Sequence, residues 1–450
     1  MTARRRALRT VTLSLLALTP LAAATSASAQ DAQYWTYGYG PVGQLTEGSI
    51  VGGVDDLSAV FYNPGAIALI DRPRLTMTLT SVELASLKAP GAAGPQLDFD
   101  NTIFDRVPAM VAGRLAHREG KPDQFAFAFL SRHDTDWDLG FSNTDVVGAS
   151  PDGNAGFGRV RERVLDYWVG ASWSHRLSET VSIGVSPFFT YRAQRNRRSL
   201  TLEQSSSGAV QAVFLGKEFE YNHVGVLGKL GIAWRPGRLE LGATLTTPRV
   251  RIWSDGKTVF NATVAGVAEA PYLSASTQTG LESTFHSPWS AAGGATWRGE
   301  RTAVHTTVEW FSAIDPYDIL EPQSAEVAGS TATVPLTYVG AAKSVVNFGA
   351  GLEHRVADTT TLYAGAARNA SPWREQSETL ASWDLVDVTG GVTFEAMGAR
   401  IAVGVGYAWG SDELVRAIAP PDQVEPAPTT AKADFHRWTF SVAFALLGSK

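Results

Sequence analysis

From about Leu75 onward, apolar and polar residues alternate with a period of two, the mark of strands with two different faces. In Leu165–Ser174 one face carries Leu165, Tyr167, Val169, Ala171 and Trp173, and the other Asp166, Trp168, Gly170, Ser172 and Ser174. Ile401, Val403, Val405, Tyr407 and Trp409 alternate with Ala402, Gly404, Gly406 and Ala408. Trp438, Phe440, Val442, Phe444 and Leu446 alternate with Thr439, Ser441, Ala443 and Ala445. Val346, Phe348, Ala350 and Leu352 alternate with Asn347, Gly349, Gly351 and Glu353. The pattern predicts about fourteen strands, at 75–87, 107–118, 124–140, 161–177, 180–200, 218–235, 238–252, 284–299, 301–312, 344–357, 360–370, 382–397, 399–410 and 434–446.

The connections narrow the architecture. Glu119 to Asp123, Ser178-Glu179, Pro236-Gly237, Gly299-Glu300, Asp358-Thr359 and Gly398 are short. The alternate connections, 88–106, 141–160, 201–217, 253–283, 313–343, 371–381 and 411–433, are long. Short and long in strict alternation is the rhythm of an outer-membrane barrel, with periplasmic turns and extracellular loops. A soluble sandwich would also alternate in polarity, but has no reason to keep that rhythm. The apolar faces end in aromatics such as Tyr407 and Trp409, where interfacial girdles belong, and the opposite faces are small and polar, as a lumen requires. A charge on the lipid face costs about 2–4 kcal/mol near the midplane, which accounts for the clean apolar parity. The predicted class is therefore all-β: a transmembrane antiparallel barrel with both termini periplasmic.

Composition agrees. The hydrophobic fraction is 44%, yet no mature segment has the roughly 18 consecutive apolar residues of a membrane-spanning helix. The 43 Gly, 13 Trp and 4 Met favour strands and turns over helices. The absence of Cys excludes disulfides, thiolate metal sites and an acylated lipoprotein cysteine. A net charge of -6 argues against a nucleic-acid partner.

The N-terminus carries a basic region (Arg4, Arg5, Arg6, Arg9), a mostly apolar run from Val11 to Ala24, and small residues at Ala27-Ser28-Ala29. This reads as a signal peptide over 1–29. Residues 30–72 lack periodicity and hold the aromatic cluster Tyr34, Trp35, Tyr37 and Tyr39 beside Gly38, Gly40 and Gly43. We assign 30–72 to a plug and 73–450 to the barrel. Within the plug, Gly52 to Leu69 contains Asp55-Asp56, Phe61 and Asn63-Pro64-Gly65. Asn before Pro is pushed away from helical geometry, so this piece is irregular and compact.

This stretch, with the strand rhythm, resembles the long-chain fatty acid outer-membrane transporter family, the FadL/TodX group, whose N-terminal hatch contains an Asn-Pro-Ala motif. Asp55, Asp56, Phe61, Asn63 and Pro64 stand in matching order; Gly65 replaces Ala. The resemblance implies a passive route for hydrophobic molecules, fatty acids or aromatic hydrocarbons. Ligand would enter from outside, bind in the barrel, and leave sideways through a kink in the third strand as the hatch shifts. No Gly or Pro lies between Gln124 and Leu139 to mark that kink, although a bulge of another type would serve.

A transporter of acids needs an apolar pocket and a cation for the carboxylate. Arg192 and Lys229, on lumen parity, are the candidates. The plainer reading pairs them with lumen acids such as Asp166, Glu309, Glu353 or Asp387. Arg195, Arg197 and Arg198 form a basic segment that either attracts acids and lipopolysaccharide phosphates or is simply solvated. None of the eight His has metal-ligand spacing, and no Gly-x-Ser-x-Gly elbow nominates a nucleophile, so neither enzyme chemistry, metal nor cofactor is expected. The loop 411–433, rich in Pro and acid, is expected to be extracellular. Expected partners are outer-membrane lipid and lipopolysaccharide, a hydrophobic ligand and the barrel assembly machinery, with the protein a monomer in the outer membrane of a Gram-negative bacterium. The chain ends Leu446-Leu447-Gly448-Ser449-Lys450, so Phe444 would supply the aromatic assembly signal. A structural or adhesion barrel without transport, or a porin for polar solutes, are the alternatives; a blocked lumen with no apolar pocket would favour the first, while the plug argues against the second, which a large ion conductance would revive.

Overall fold

The computed structural model describes residues 33–36, 38–70, 73–94, 97–107, 109–116, 121–143, 153–206, 209–266, 272–373, 383–415 and 430–447. The expected signal peptide, Tyr37, residues 448–450 and most of the acidic connection 411–433 lie outside them. The strands are β1 (Pro73–Gly94), β2 (Leu97–Val107, continuing as Met110–Ala116), β3 (Asp123–Asn143), β4 (Gly153–Arg176), β5 (Val181–Ser206), β6 (Ala209–Trp234), β7 (Leu239–Thr246, continuing as Val250–Ala265) and β8 (Tyr272–Leu281, continuing as Ser290–Arg298). They go on as β9 (Thr302–Phe311), β10 (Val345–Ala357), β11 (Thr360–Asn369), β12 (Leu385–Ala396), β13 (Ala399–Val415) and β14 (Thr430–Leu447). Each pairs antiparallel with the next. β14 returns to β1, with Pro73 opposite Leu447, and closes a barrel of fourteen strands. Closure leaves no free edge strand in the band that crosses the membrane, which is what a strand-built membrane protein requires.

The two parities fall as the sequence predicts. Phe189, Val169, Phe348, Phe440 and Val403 project outward and are exposed, while Asp166, Ser172, Ser186, Asn347 and Ser441 are buried inside. The exposed side is an apolar band. Trp173, Trp234 and Trp297 stand near its short-turn end, and Trp310, Trp409 and Trp438 toward the other. No helix among the described residues is long and apolar enough to cross a membrane; the barrel crosses with strands.

The long connections differ from expectation. The segments 88–106, 141–160, 201–217 and 253–283 are largely strand, so the hairpins stand tall beyond the apolar band. Ser206 opposes Ala209 across β5 and β6, and Tyr272 opposes Val264 across β7 and β8. The backbone ladder continues there, but with water on its outer face neither parity needs to be apolar, and the period-two signal fades. Arg195 and Arg197, within the expected strand 180–200, lie in β5 and are paired rather than simply solvated: their guanidinium groups meet Glu218 at 2.7 and 2.6 Å. The eighth strand begins at Tyr272, not at 284, and is interrupted at 282–289. Residues 313–343 hold two small antiparallel pairs, Ile314–Leu320 with Tyr338–Ala342 and Ala325–Glu326 with Thr333–Val334. Their Ile319, Leu320, Leu336 and Tyr338 pack on Phe219, Tyr221 and Phe260 of the tall β6–β7 ribbon.

Residues 38–70 lie inside the barrel and touch all fourteen strands. Leu57 and Gly40 donate backbone N–H groups to Thr76 and Thr78 of β1, and Arg114 of β2 donates to the Ile70 carbonyl. Tyr39 donates to the Ser131 carbonyl of β3, Ala68 to Ser174 of β4, and Ser186 of β5 to the Val60 carbonyl. Asn63 donates to the Ile232 carbonyl of β6, and Val51 packs on Gly242 of β7. Arg298 of β8 donates to the Gly53 carbonyl, and Val51 to Thr307 of β9. Thr46 sits against Gly351 of β10 and Gly365 of β11, and Leu45 against Gly391 of β12. Asp55 meets Arg400 of β13, and the helical turn Gly40–Gly43 packs on β14. A buried irregular backbone must find partners for its N–H and C=O groups, and the hydroxyls and guanidinium groups of the wall supply many of them.

The seating depends on missing side chains. A Cβ at Gly231 would lie 2.8 Å from Pro64 Cδ and 2.9 Å from the Gly65 nitrogen. Gly231→Ala is expected to lift this corner of the plug, at a cost of about 1–3 kcal/mol, while leaving the outward face of β6 untouched. The barrel should assemble, and ion conductance in planar bilayers should rise; conductance equal to the parent's would refute the tight seating.

Candidate functional site

Asn63 organises the plug's centre. Its backbone is extended and caps the short 3-10 helix Pro64–Leu69. The side-chain oxygen accepts from the Gly65 N–H at 3.1 Å; the amide nitrogen donates to the Val51 carbonyl at 3.1 Å and the Ile232 carbonyl at 2.9 Å. One amide thus ties two plug segments to the wall, which an aspartate, lacking donors, cannot do. Pro64 at the first helical position has no N–H to leave unsatisfied. Gly65 replaces the alanine of the resembled motif for a steric reason: a Cβ there would lie 2.8 Å from the Gly231 carbonyl oxygen.

The acidic pair divides into two roles. Asp55 accepts from Arg400 at 2.8 Å at the short-turn end of the barrel. Burial raises its carboxyl pKa, but the charges of Arg400, Arg298 and Arg235 overcome that and hold it at about 2. Asp56 is fully buried; one oxygen accepts the Ser58 N–H at 2.7 Å and the other has no partner. Burial first, and then the charge of Asp55, push it up to about 6.

Phe61 faces a chamber of about 1160 Å³, measured with the lumen space it opens to. Its lining includes Phe61, Trp168, Leu227 and Phe285, with the cations Lys229 and Arg132. Lys229 Nζ stands 4.4 Å from the Phe61 ring centroid, and the Arg132 guanidinium 4.7 Å from the same ring and 5.3 Å from Trp168. A cation over a ring face is attracted by its quadrupole, worth about 0.5–2 kcal/mol. Arg132 also donates to the Tyr34 carbonyl at 2.8 Å and to Tyr39 at 3.2 Å. Lys229 makes no hydrogen bond or ion pair among the described residues.

The two sequence candidates therefore separate. Lys229 lines the chamber with its ammonium available. Arg192 is fully buried in the wall, donating to Tyr221 at 3.0 Å and Gln194 at 3.1 Å and lying 3.5 Å from Asp166. That is the pairing with a lumen acid weighed from the sequence. Arg249 donates to both Asp166 oxygens, at 2.8 and 2.7 Å, and lines the chamber. Arg132, Arg249 and Phe285 were not singled out from the sequence. Arg249 lies at the break 247–249 in β7 and Phe285 in the break 282–289 of β8, where period two fails and gives no parity.

The wall beside the chamber is irregular. Ser131 opposes Tyr167 and His133 opposes Asp166, so Arg132 is the extra residue of a β-bulge. At the same level β2 is broken between Val107 and Met110, and the Ser131 N–H donates to the Ala109 carbonyl at 2.9 Å. Beyond the bulge β3 stays paired with β4 as far as Asn143. Among the described residues no ladder joins Leu97–Val107 of β2 to β3. No Gly or Pro marks this place in β3; the irregularity is a bulge at Arg132.

The acidic pair fixes a pH response. Asp56 has a folded pKa above its ordinary value, so the seated plug binds an extra proton between about pH 4 and 6 and loses stability as pH rises through that window. Asp55 has a lowered pKa, so its contribution is present above about pH 4 and is lost as pH falls through about 2. Asp56→Asn should flatten the plug's stability between pH 4 and 6 and strengthen it at pH 7, read by protease protection of residues 38–70; an unchanged profile would show that Asp56 does not titrate there.

No protein-family model matches the sequence, and no curated protein sequence matches it. Solved structures do match. A Pseudomonas aeruginosa FadL homologue aligns with a TM-score of 0.58 at 13% identity, covering 92% of this chain and 99% of that one. The P. putida toluene transporter TodX aligns with 0.58 at 13% identity, over 93% and 100%. The CymD monoaromatic hydrocarbon channel aligns with 0.56 at 12% identity, over 92% and 98%. At this identity the likeness is one of fold, and it covers nearly the whole of each partner: the chain is a closed fourteen-stranded barrel of the FadL/TodX type.

Proposed function

We propose that the protein is an outer-membrane channel for hydrophobic molecules, fatty acids or aromatic hydrocarbons, without enzymatic activity. The observation that carries this reading is the aromatic chamber at Phe61 with the unpaired Lys229 ammonium on its wall. Apolar surface removed from water contributes about 25 cal/mol per Å², so the rings hold a hydrocarbon body. Lys229 receives a carboxylate where the ligand has one. The plug lies across the way through, so passage requires residues 38–70 to shift as a hatch. The unpaired stretch between β2 and β3 above Arg132 is the place for a sideways exit into lipid, which suits a ligand that water excludes. The tall hairpins then face outward and the short turns and both termini face the periplasm, with a monomer surrounded by lipid and lipopolysaccharide. The structures of similar fold include a toluene transporter and a monoaromatic hydrocarbon channel, which supports the same substrate class here.

Deleting the gene should slow uptake of toluene or of long-chain fatty acids; unchanged uptake of every hydrophobe tried would overturn the reading. Asn63→Ala should reduce uptake more than it reduces barrel assembly, since the amide holds the plug and not the ladder. Lys229→Met should lower dodecanoate affinity relative to toluene affinity about tenfold, the loss of one charge-assisted contact. Equal losses for the two ligands would remove Lys229 from the head-group role.

A further inference from the structure

Beside the chamber at Phe61 the lumen changes character. A second chamber of about 470 Å³, measured with the space it opens to, is lined by Gln44 and Glu47 of the plug and by Glu83, Asp387 and Arg437 of β1, β12 and β14. It shares Thr36, Gly38, Glu47, Asp387 and Arg437 with the chamber at Phe61, so the two are continuous. The Arg437 guanidinium lies 3.0 Å from Asp387 and 4.0 Å from Glu83. Arg437 thus reaches both carboxylates. Glu47, the third, makes no hydrogen bond or ion pair among the described residues. A buried carboxyl that no donor or cation meets is costly unless something pairs with it.

Two further observations point to a ligand. Gln44 is 8% exposed, and neither its Oε1 nor its Nε2 has a partner, although it lines this chamber. Glu47 holds the left-handed backbone, φ 49°, which a residue with a long side chain seldom adopts. Such strain persists where the position of the side chain matters. Among the described residues no group of three His, Asp or Glu has the spacing of a metal site. The acceptors present, carboxylates and an amide oxygen beside an apolar chamber, suit an organic cation. A primary ammonium has three N–H donors, which the Glu47 carboxylate, Gln44 Oε1 and the Asp387 carboxylate can accept.

We propose that the lumen carries a second head-group site, at Glu47 and Gln44, for the ammonium group of a hydrophobic amine whose apolar body lies in the chamber at Phe61. The inference rests on the channel reading above and extends its substrate class from neutral and anionic to cationic amphiphiles. Lys229 and Glu47 are then the two opposite poles of one binding space. The state of Glu47 gives the site a pH signature. Burial, and then the charge of Asp387, push its carboxyl up to about 8 against the opposing effect of Arg437. The charged groups facing it are Asp387 and Arg437, with Glu83 beyond, and Asp387 is already paired. The empty site holds a proton at neutral pH, and an ammonium displaces it.

Calorimetry on the purified full chain, with octylammonium and octanoate as probes, tests this. The parent should bind octylammonium with an affinity that rises about tenfold per pH unit below pH 8 and then levels off. Glu47→Gln should flatten that profile and lower the ratio of octylammonium to octanoate affinity about tenfold or more. Gln44→Leu should lower the ratio while keeping the slope. A parent that binds octanoate but not octylammonium overturns the site, as does a ratio unmoved in both variants. If Glu47→Gln loses octanoate as well, its fold has failed and the ratio in Gln44→Leu decides. A parent that binds neither octanoate nor toluene strikes the channel reading itself.

Discussion

The plug's backbone lies directly against the backbone of the barrel wall, and this contact exists because the wall has no side chains there. Gly184 and Gly231 are opposite partners on β5 and β6, and Gly242 and Gly294 on β7 and β8. A Cβ on Gly184 would lie 2.8 Å from the Gly65 nitrogen, and one on Gly294 2.7 Å from the Gly52 nitrogen. The same device recurs across the lumen, where the partners Gly351 and Gly365 receive Thr46 and the partners Gly391 and Gly404 receive Leu45. Glycine weakens a strand by about 0.5–1 kcal/mol relative to alanine. In a closed barrel each strand is held on both sides, so the wall tolerates these losses. What it gains is a lumen wide enough for a folded segment and no wider.

Polar contacts then decide which part of the plug is held most firmly. At the short-turn end Asp55 meets Arg400, Arg235 donates to the Val54 and Leu69 carbonyls, and Arg298 to that of Gly53. These are charge-assisted hydrogen bonds, the stronger kind. On the other side the Phe61 side chain is held without hydrogen bonds, by Lys229 and Arg132 over its ring and by ring contacts with Tyr39, Tyr62 and Trp168. The ring face is also the surface a hydrocarbon would use. In the proposed channel a ligand therefore competes with the weaker of the two sets of contacts.

Much of this was legible in the sequence, and the reason is lipid. Wherever the outer face meets hydrocarbon, parity is enforced at every second residue, as Trp438, Phe440 and Val442 show. The short turns were legible for the same reason, since parity stops at them. Legibility failed where that constraint lapses. The tall hairpins above the apolar band keep their ladders without any apolar parity. The breaks at 247–249 and 282–289 turn Arg249 and Phe285 into the lumen, where no periodic signal records them. Asn63-Pro64-Gly65 stood out as a chain-breaking motif, but the pairing of Gly65 with Gly231 is a contact across 166 positions that no local pattern encodes.

Arg132 joins these parts physically. Its backbone is the bulge that ends the β2–β3 ladder, and its carbonyl accepts from the Thr36 hydroxyl of the plug. Its guanidinium donates to Tyr34 and Tyr39 of the plug and lies over Phe61 and Trp168 in the chamber. A bulge leaves one residue outside the ladder and re-aims its side chain; here that side chain reaches both the plug and the ligand space. Moving Phe61 removes a ring from beneath the guanidinium, and moving Tyr34 or Tyr39 removes its hydrogen-bond acceptors. Either change acts on the residue that forms the bulge where the β2–β3 ladder ends. In the proposed channel, ligand space, plug and the end of the β2–β3 ladder therefore need no long relay: the three meet within the reach of one arginine.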